Sequence, residues 1–489
     1  EDQLRAFRDR FDIPVNDEEI KEAPFCRFKE GEPEYDYLHE RRRKLGGFVP
    51  QRRPRTTPLE APSLDLFGEF LEGSGDRAVA TTMAIVRMLN RLMGDKRIGK
   101  LIVPIVPDEA RTFGMESLFR SYGIYAHAGQ LYEPVDAHLL MRYEERRNGQ
   151  ILEEGITEAG SMASFIAAGT TYATHGLRTI PFFLFYSMFG FQRIGDQIWL
   201  AGDMRTKGFL IGATAGRTTL AGEGLQHQDG HSHLHASTVP NCVSYDCAFA
   251  YELAVIVNDG LKRMHEQGED IFYYLTVYNE TYPQPPMPGA DAPDDRTRVT
   301  EGIKRGMYRF KPAENPGKRP RVHLFGSGPL INEALRAQET LREKYDVAAD
   351  VWSVTSYNEL YRDALACTRW NRLHPEAEPR IPFVQQMLQA DPWPVIITSD
   401  WVSSIAERLC PWTPKGMCIL STDGYGRSDA RVDLRHYFET DAPHVVLGAL
   451  TELARLDQFP HDRLKQAVCD LDINPDAPDP ASSGRFLDE

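Results

Sequence analysis

The 489-residue chain contains no apolar run near the length of about 18 residues that a membrane-spanning helix requires. It also lacks a surplus of positive charge. Its 56 lysines and arginines face 71 acids, a net charge of −15, which argues against broad electrostatic attachment to nucleic acid. The basic clusters Arg41–Lys44 and Arg52–Arg55 are short, sit in a hydrophilic stretch and read as solvated surface. The seven cysteines are odd in number and irregularly spaced, so no disulfide framework is expected. Cys242 and Cys247 have no second pair to complete a zinc site, and reduced thiols of a cytoplasmic protein are the better reading. No signal peptide and no internal repeat are visible. The chain opens on Glu1 rather than methionine, which fits a processed product or part of something longer.

What is present reads as a globular α/β protein of two consecutive domains with mainly parallel sheets. The hydrophobic fraction is 42% and the charged fraction 26%. Residues 1–60 are charged, weakly periodic and read as a connecting arm. From Ala78, helical patterns such as "AVATTMAIVRMLNRLMGD" alternate with short apolar runs: "KLIVPIVPDEA", "LRTIPFFLFYSMFG", "GFLIGATAG" and "DIFYYLTVYNE". Uninterrupted rather than alternating strands predict a largely parallel sheet covered on both faces. "TYPQPPMPGADAPDD" is the strongest linker, giving a first domain over 61–285, a linker over 281–297 and a second domain over 286–489. The second domain carries "RVHLFGSGPLINEALRAQETLREKY", three more apolar runs, the helix "PHVVLGALTELARL" and a proline-rich tail.

Several residues could carry chemistry. "GEGLQHQDGHSHLH" packs His227, His231, His233 and His235 into nine positions. His227 and His231 have helical metal-ligand spacing, but Asp229-Gly230 breaks a helix between them. In extended chain, His231, His233 and His235 would share one face. A metal site, a polar active-site loop and structural histidines all remain open on this pattern. Asp108 and Glu109 end an apolar strand, where ligands collect in parallel α/β sheets and where acids also cap helices. Glu158 opens a helix of small residues. Desolvation there would raise its pKa and suit proton exchange, but spacing alone favours the simpler reading, an acid well placed at a helix N-terminus. "FYSMFGFQR" supplies Tyr186, Phe189, Phe191 and Arg193 after a strand, a core or a stacking platform for a flat heterocycle. Arg193 there needs a carboxylate partner. "LFGSGPLI" and "STDGYGRSD" lack the full glycine spacing of a phosphate loop.

Taken together, "PDEARTFGME", "EEGITEAGSM", "FYSMFGFQRIGD", "GRTTLAGEGLQHQDGHSH", "VTSYNEL" and "STDGYGRSDAR" resemble the homodimeric-type pyruvate dehydrogenase E1 component, a thiamine diphosphate enzyme of the transketolase-like superfamily. The resemblance runs from Phe7 to the C-terminal tail. It implies that the first domain binds the cofactor's pyrimidine and that the second is the family's C-terminal domain. It assigns Glu158 to the acid that hydrogen-bonds the aminopyrimidine, Tyr186 and Phe189 to rings packed on or beside it, and Arg193 to charge relay between the two sites of a homodimer. Asp108 and Glu109 match acids lining the same cavity. His227 matches the histidine facing the pyruvate adduct, which disfavours a metal among the four histidines.

The superfamily's Mg²⁺–diphosphate pattern, Gly-Asp-Gly with a later Asn, has no match here. Gly202-Asp203 runs into Met204, and Asp423-Gly424 lacks the leading glycine. The resemblance therefore implies the family's C-terminal portion, with the Mg²⁺ ligands in an N-terminal half. It further implies decarboxylation of pyruvate, transfer of the acetyl unit to a lipoyl group of the acetyltransferase (E2) component, and no nucleic-acid or membrane partner. Another transketolase-like enzyme and a non-catalytic scaffolding subunit are the competing readings.

Overall fold

The computed structural model describes residues 2–48, 56–107, 110–289, 292–413 and 415–482. It divides into two units, Glu1–Arg55 and Thr56–Glu489. Among the described residues the smaller holds the α-helices Asp2–Arg10 and Pro33–Lys44, neither with a buried residue, and a 3₁₀ turn, Glu19–Glu22, that buries Ile20. The second α-helix begins with Pro33 in its first turn and ends in Arg41, Arg42, Arg43 and Lys44, so fixed φ favours its start and cations complement its C-terminal dipole. Arg41–Lys44 is largely solvated, as expected; Arg52–Arg55 lies outside the described residues.

The larger unit is built on two sheets. The first has six strands in the order Leu152–Glu153, Ile102–Val106, Ile180–Tyr186, Phe209–Ala213, Phe272–Thr276, Cys242–Asp246, and every pairing is parallel. Helices such as Thr81–Gly94, Glu158–Gly169 and Ala250–Leu261 cover its faces, which explains why its strands are apolar throughout. The second sheet runs Met307–Lys311, Ala348–Val354, Arg321–Gly326, Val395–Thr398, Met417–Leu420. Its first strand is antiparallel and the rest are parallel. No helix among the described residues is long and apolar enough to cross a membrane.

The proline-rich linker is more structured than its composition suggests. Tyr282–Pro283 pairs antiparallel with Ala78–Val79, and the buried Gln284 accepts a hydrogen bond from the Ala250 amide at 2.9 Å. From Pro293 the linker is already the helix Pro293–Arg305. One apolar cluster extends from Phe67 through Ile211 to Leu450, so both sheets share a core. Buried polar contacts also cross between them. Glu252 Oε1 accepts from Ser353 Oγ and Tyr308 OH, each at 2.6 Å, and Asp246 Oδ2 accepts from Trp401 Nε1 at 2.8 Å. Gly328, at φ +49°, packs against the Tyr278 ring, so this glycine is accounted for by close approach rather than by a phosphate.

Candidate active site

The strand Ile180–Tyr186 ends at a sharp corner. A single 3₁₀ turn, Ser187–Phe189, leads through Gly190 into the helix Phe191–Asp203. A Cβ on Gly190 would stand 2.3 Å from Phe185 Cε2, so only glycine lets the chain turn this tightly over the sheet. The corner lies beyond the carboxyl end of an inner parallel strand, where ligand crevices form in open α/β sheets. It presents Tyr186, Phe189 and, one helical turn on, Arg193.

The helix Glu158–Gly169 packs beside it. Thr157 caps this helix by accepting from the Gly160 amide at 3.1 Å, and Gln197 reaches across to the Ala159 carbonyl at 3.2 Å. Ala159, Gly160, Ala163 and Ala167 keep the helix surface shallow. The helix thereby brings Glu158 to Arg193, whose Nη1 lies 3.3 and 3.2 Å from the two carboxylate oxygens. Arg193 thus finds the carboxylate that its position demanded. The Glu158 side chain is only 11% exposed, against 51% for Arg193.

The arginine lies over the Phe189 ring, with its guanidinium carbon 3.9 Å from the centroid. Phe189, Tyr186 and His227 form a mutual ring contact. Their centroids are 5.8 Å apart for Tyr186–Phe189 and 5.2 Å for each ring to His227. Phe113 closes the far side of Tyr186 at 5.3 Å. Glu158, Arg193, Phe189, Tyr186 and His227 are therefore one contiguous cluster assembled from three separate stretches of chain. Asp108 and Glu109 lie outside the described residues. The buried His227 Nδ1 has no hydrogen-bond partner among the described residues; Glu223 stands 3.9 Å away.

The other histidines diverge. Ser232–Ala236 is a helical turn rather than an extended segment, so His231, His233 and His235 do not share a face. His231 Nε2 meets the buried Arg217 at 3.2 Å, and burial together with that cation pushes its pKa down. His233 is buried against Trp401, with Nε2 sharing a hydrogen bond with Thr276 Oγ1 at 2.9 Å, and desolvation lowers its pKa too. His235 is exposed.

Asp229 organises this loop, a role that its position in the sequence did not reveal. It is wholly buried. It accepts from the hydroxyls of Ser187 and Ser232, from the His231 amide at 2.9 Å and from the Ser232 amide at 3.1 Å. Ser187 belongs to the corner bearing Phe189, so one carboxylate ties the aromatic corner to the histidine loop. Asp229→Ala should cost several kcal/mol, since it strands hydroxyl and amide donors worth about 1–3 kcal/mol each when buried and unpaired. Thermal unfolding checks this, and a melting temperature unchanged from wild type would show that the loop is held by other contacts. Arg217, Thr218, Thr219 and Asp400 were likewise not singled out. Asp400 accepts from the Thr218 amide at 2.8 Å and from both threonine hydroxyls, clamping the start of the same loop to the second sheet.

Residues 59–285 match the pyruvate dehydrogenase E1 component middle domain, and residues 306–441 match the transketolase-like C-terminal domain. The pyruvate dehydrogenase E1 component of Pseudomonas aeruginosa is 52% identical over 481 residues, 98% of this chain and 53% of that protein. The chain belongs to the pyruvate dehydrogenase E1 family. The Escherichia coli K12 protein is 47% identical over 98% of this chain and 53% of its own length. The Mycobacterium tuberculosis protein is 50% identical over 93% and 48%. The chain thus spans about half the length of these relatives. Among solved structures, transketolase from Leishmania mexicana superposes with a TM-score of 0.58 at 15% identity, covering 81% of this chain and 48% of that one. Transketolase from Pichia stipitis in complex with sedoheptulose 7-phosphate gives 0.55 at 14% identity, covering 87% and 51%. These distant structures establish the transketolase-like α/β fold.

Proposed function

We propose that this E1-family chain supplies the pyrimidine-binding and C-terminal domains of a pyruvate dehydrogenase E1 component. In this reading residues 61–285 hold the reacting end of thiamine diphosphate and 286–489 buttress it. The complete enzyme decarboxylates pyruvate and passes the acetyl unit to a lipoyl group of the acetyltransferase component. The observation that carries the reading is the Glu158–Arg193–Phe189–His227–Tyr186 cluster at the corner after Ile180–Tyr186.

The cluster suits the aminopyrimidine end of the cofactor. A flat ring needs aromatic surface, which Tyr186 and Phe189 offer, and a ring nitrogen needs a shielded carboxyl, which Glu158 offers. His227 contributes a buried Nδ1 with no partner among the described residues, a group suited to exchange a hydrogen bond with substrate. When bound, thiamine diphosphate supplies the electron sink that pyruvate decarboxylation requires. The chain's own work is narrower. Glu158 holds or moves a proton at the pyrimidine, Arg193 fixes the Glu158 carboxylate, the rings set the plane, and His227 orients the substrate carboxylate or hydroxyl. Mg²⁺ and the diphosphate fall, in this proposal, to the part of the relatives' length that this chain does not span. Asp108 and Glu109 are proposed as further acids of the cavity. The proposal includes a homodimer in which Arg193 links two sites.

The test is pyruvate-dependent CO₂ release and lipoyl acetylation by the complete enzyme carrying this chain. Both should require thiamine diphosphate and pyruvate. Turnover of a ketose phosphate donor with none of pyruvate would instead select another transketolase-like activity. Sedimentation of the complete enzyme should give a dimer, and a monomer at micromolar concentration would remove the proposed link through Arg193.

A further inference from the structure

The turn joining the helices Arg431–Tyr437 and Ala442–Arg455 gathers three side chains outside the site described above. His436 Nδ1 lies 2.9 Å from one carboxylate oxygen of Asp441, and His444 Nδ1 lies 2.5 Å from the other. One donor atom from each residue falls within 4.8 Å of the other two, and the imidazole centroids are 5.2 Å apart. His444 is buried, Asp441 is 14% exposed and His436 is 49% exposed.

We propose that His436, Asp441 and His444 bind a divalent transition cation of the zinc class, with water completing the coordination. Two imidazoles and one carboxylate are a ligand set that suits such ions and is poorly matched to Mg²⁺ or Ca²⁺, which prefer oxygen. Zinc–nitrogen and zinc–oxygen bonds of about 2.0–2.2 Å put tetrahedral ligand atoms about 3.3 Å apart. The nitrogens need retreat from the carboxylate by less than about one ångström to reach that spacing.

Two of the three ligands are preset by the backbone. Asp441 caps the second helix by accepting from the His444 amide at 3.2 Å, which fixes both residues on one turn. The flanking chain is tied down as well. The Thr440 carbonyl accepts from Thr398 Oγ1 at 2.7 Å, and the Ala442 amide donates to Glu333 at 3.0 Å. His436 is the adjustable third arm, and its exposure leaves the open positions facing solvent. A capping ion pair would need only one imidazole. Here two, from different helices, converge on the same carboxylate.

The ion would also stiffen a helix that reaches the active-site loop. Arg431 Nε donates to the Thr219 carbonyl at 2.6 Å, and Arg435 pairs with Glu280 and Glu333. A cation at His436 would anchor the end of that helix.

The 489-residue chain, stripped with a chelator, is titrated with Zn²⁺ by calorimetry and with Co²⁺ by visible absorption. The expected result is one equivalent bound with a dissociation constant of about ten micromolar or tighter. The Co²⁺ form should show the intense d–d bands of a four- or five-coordinate nitrogen–oxygen site. His436→Ala, at a half-exposed position, should fold normally and bind at least about tenfold more weakly. His436→Asn serves if the alanine variant melts early. Zn²⁺ should also slow hydrogen exchange across 431–441 in the wild type alone. Binding by either folded variant within about tenfold of wild type, or no binding by wild type at millimolar metal, overturns the proposal.

Discussion

Glu158→Gln, made in the complete enzyme, lowers turnover by about two orders of magnitude or more, the range of a lost acid–base group. Glutamine keeps the size of the side chain and its place in the first turn of the helix, so packing around Ala159 and Gly160 is undisturbed. What disappears is the carboxyl, and with it the capacity to hold or release a proton at a position where the side chain is only 11% exposed. Arg193 is half in solvent, so losing its partner leaves no buried orphan charge. The melting temperature should therefore stay near wild type while kcat falls. Turnover within a factor of about two of wild type would falsify the assignment of proton exchange to Glu158.

Acid should weaken the fold through His265. This residue lies in a π-helical turn, Lys262–Glu266, and is 2% exposed. Neither ring nitrogen has a hydrogen-bond partner among the described residues. Burial, reinforced by Lys207 and Arg178, pushes its pKa down to about 3. The folded value therefore lies below the unfolded value of about 6.5, and the unfolded chain binds the extra proton. Stability from this group is complete above pH 6.5 and is lost progressively as pH falls toward 3. Between pH 7.5 and pH 5 the linkage amounts to about 2 kcal/mol. Urea unfolding of the wild type and of His265→Leu at these two pH values measures it. Leucine removes the titrating group without stranding a polar partner, so the variant should lose about 2 kcal/mol less on acidification. Equal losses in the two proteins would show that His265 does not titrate on unfolding.

Much of the first sheet could be read directly from the sequence because burial on both faces removes polar residues. Ile102–Val106, Ile180–Tyr186 and Phe209–Ala213 all stand out as apolar runs. Cys242–Asp246 did not, since Ser244 and Asp246 interrupt it. Both are buried because they serve contacts to the second sheet. Asn358 Nδ2 donates to Ser244 Oγ at 2.8 Å, and Trp401 Nε1 to Asp246 at the same distance. Polarity that normally marks a surface here marks an internal boundary, and local patterning cannot tell the two apart. The helix Pro293–Arg305 was hidden for the opposite reason, because proline and aspartate at its start look like linker. The same contrast holds at the candidate site. Glu158 and Arg193 each signalled a need, one for desolvation and the other for a partner, before either could be seen to answer the other. Asp229 gave no such sign, because its donors Ser187 and Ser232 are 42 and 3 residues away and are ordinary in type.

The short pairing of Tyr282–Pro283 with Ala78–Val79 bears on how such a chain can be divided in evolution or by design. A recombination point in the proline run would look natural on paper, since it falls between the two sheets. It would cut beside the separate two-stranded pairing that ties Ala78–Val79 to Tyr282–Pro283, and would open the apolar cluster joining Ile211 to Leu450. Each product would then expose a face never meant for water. The two sheets are consequently expected to be inherited together, with exchange of parts tolerated only where the chain has no shared interior to cut.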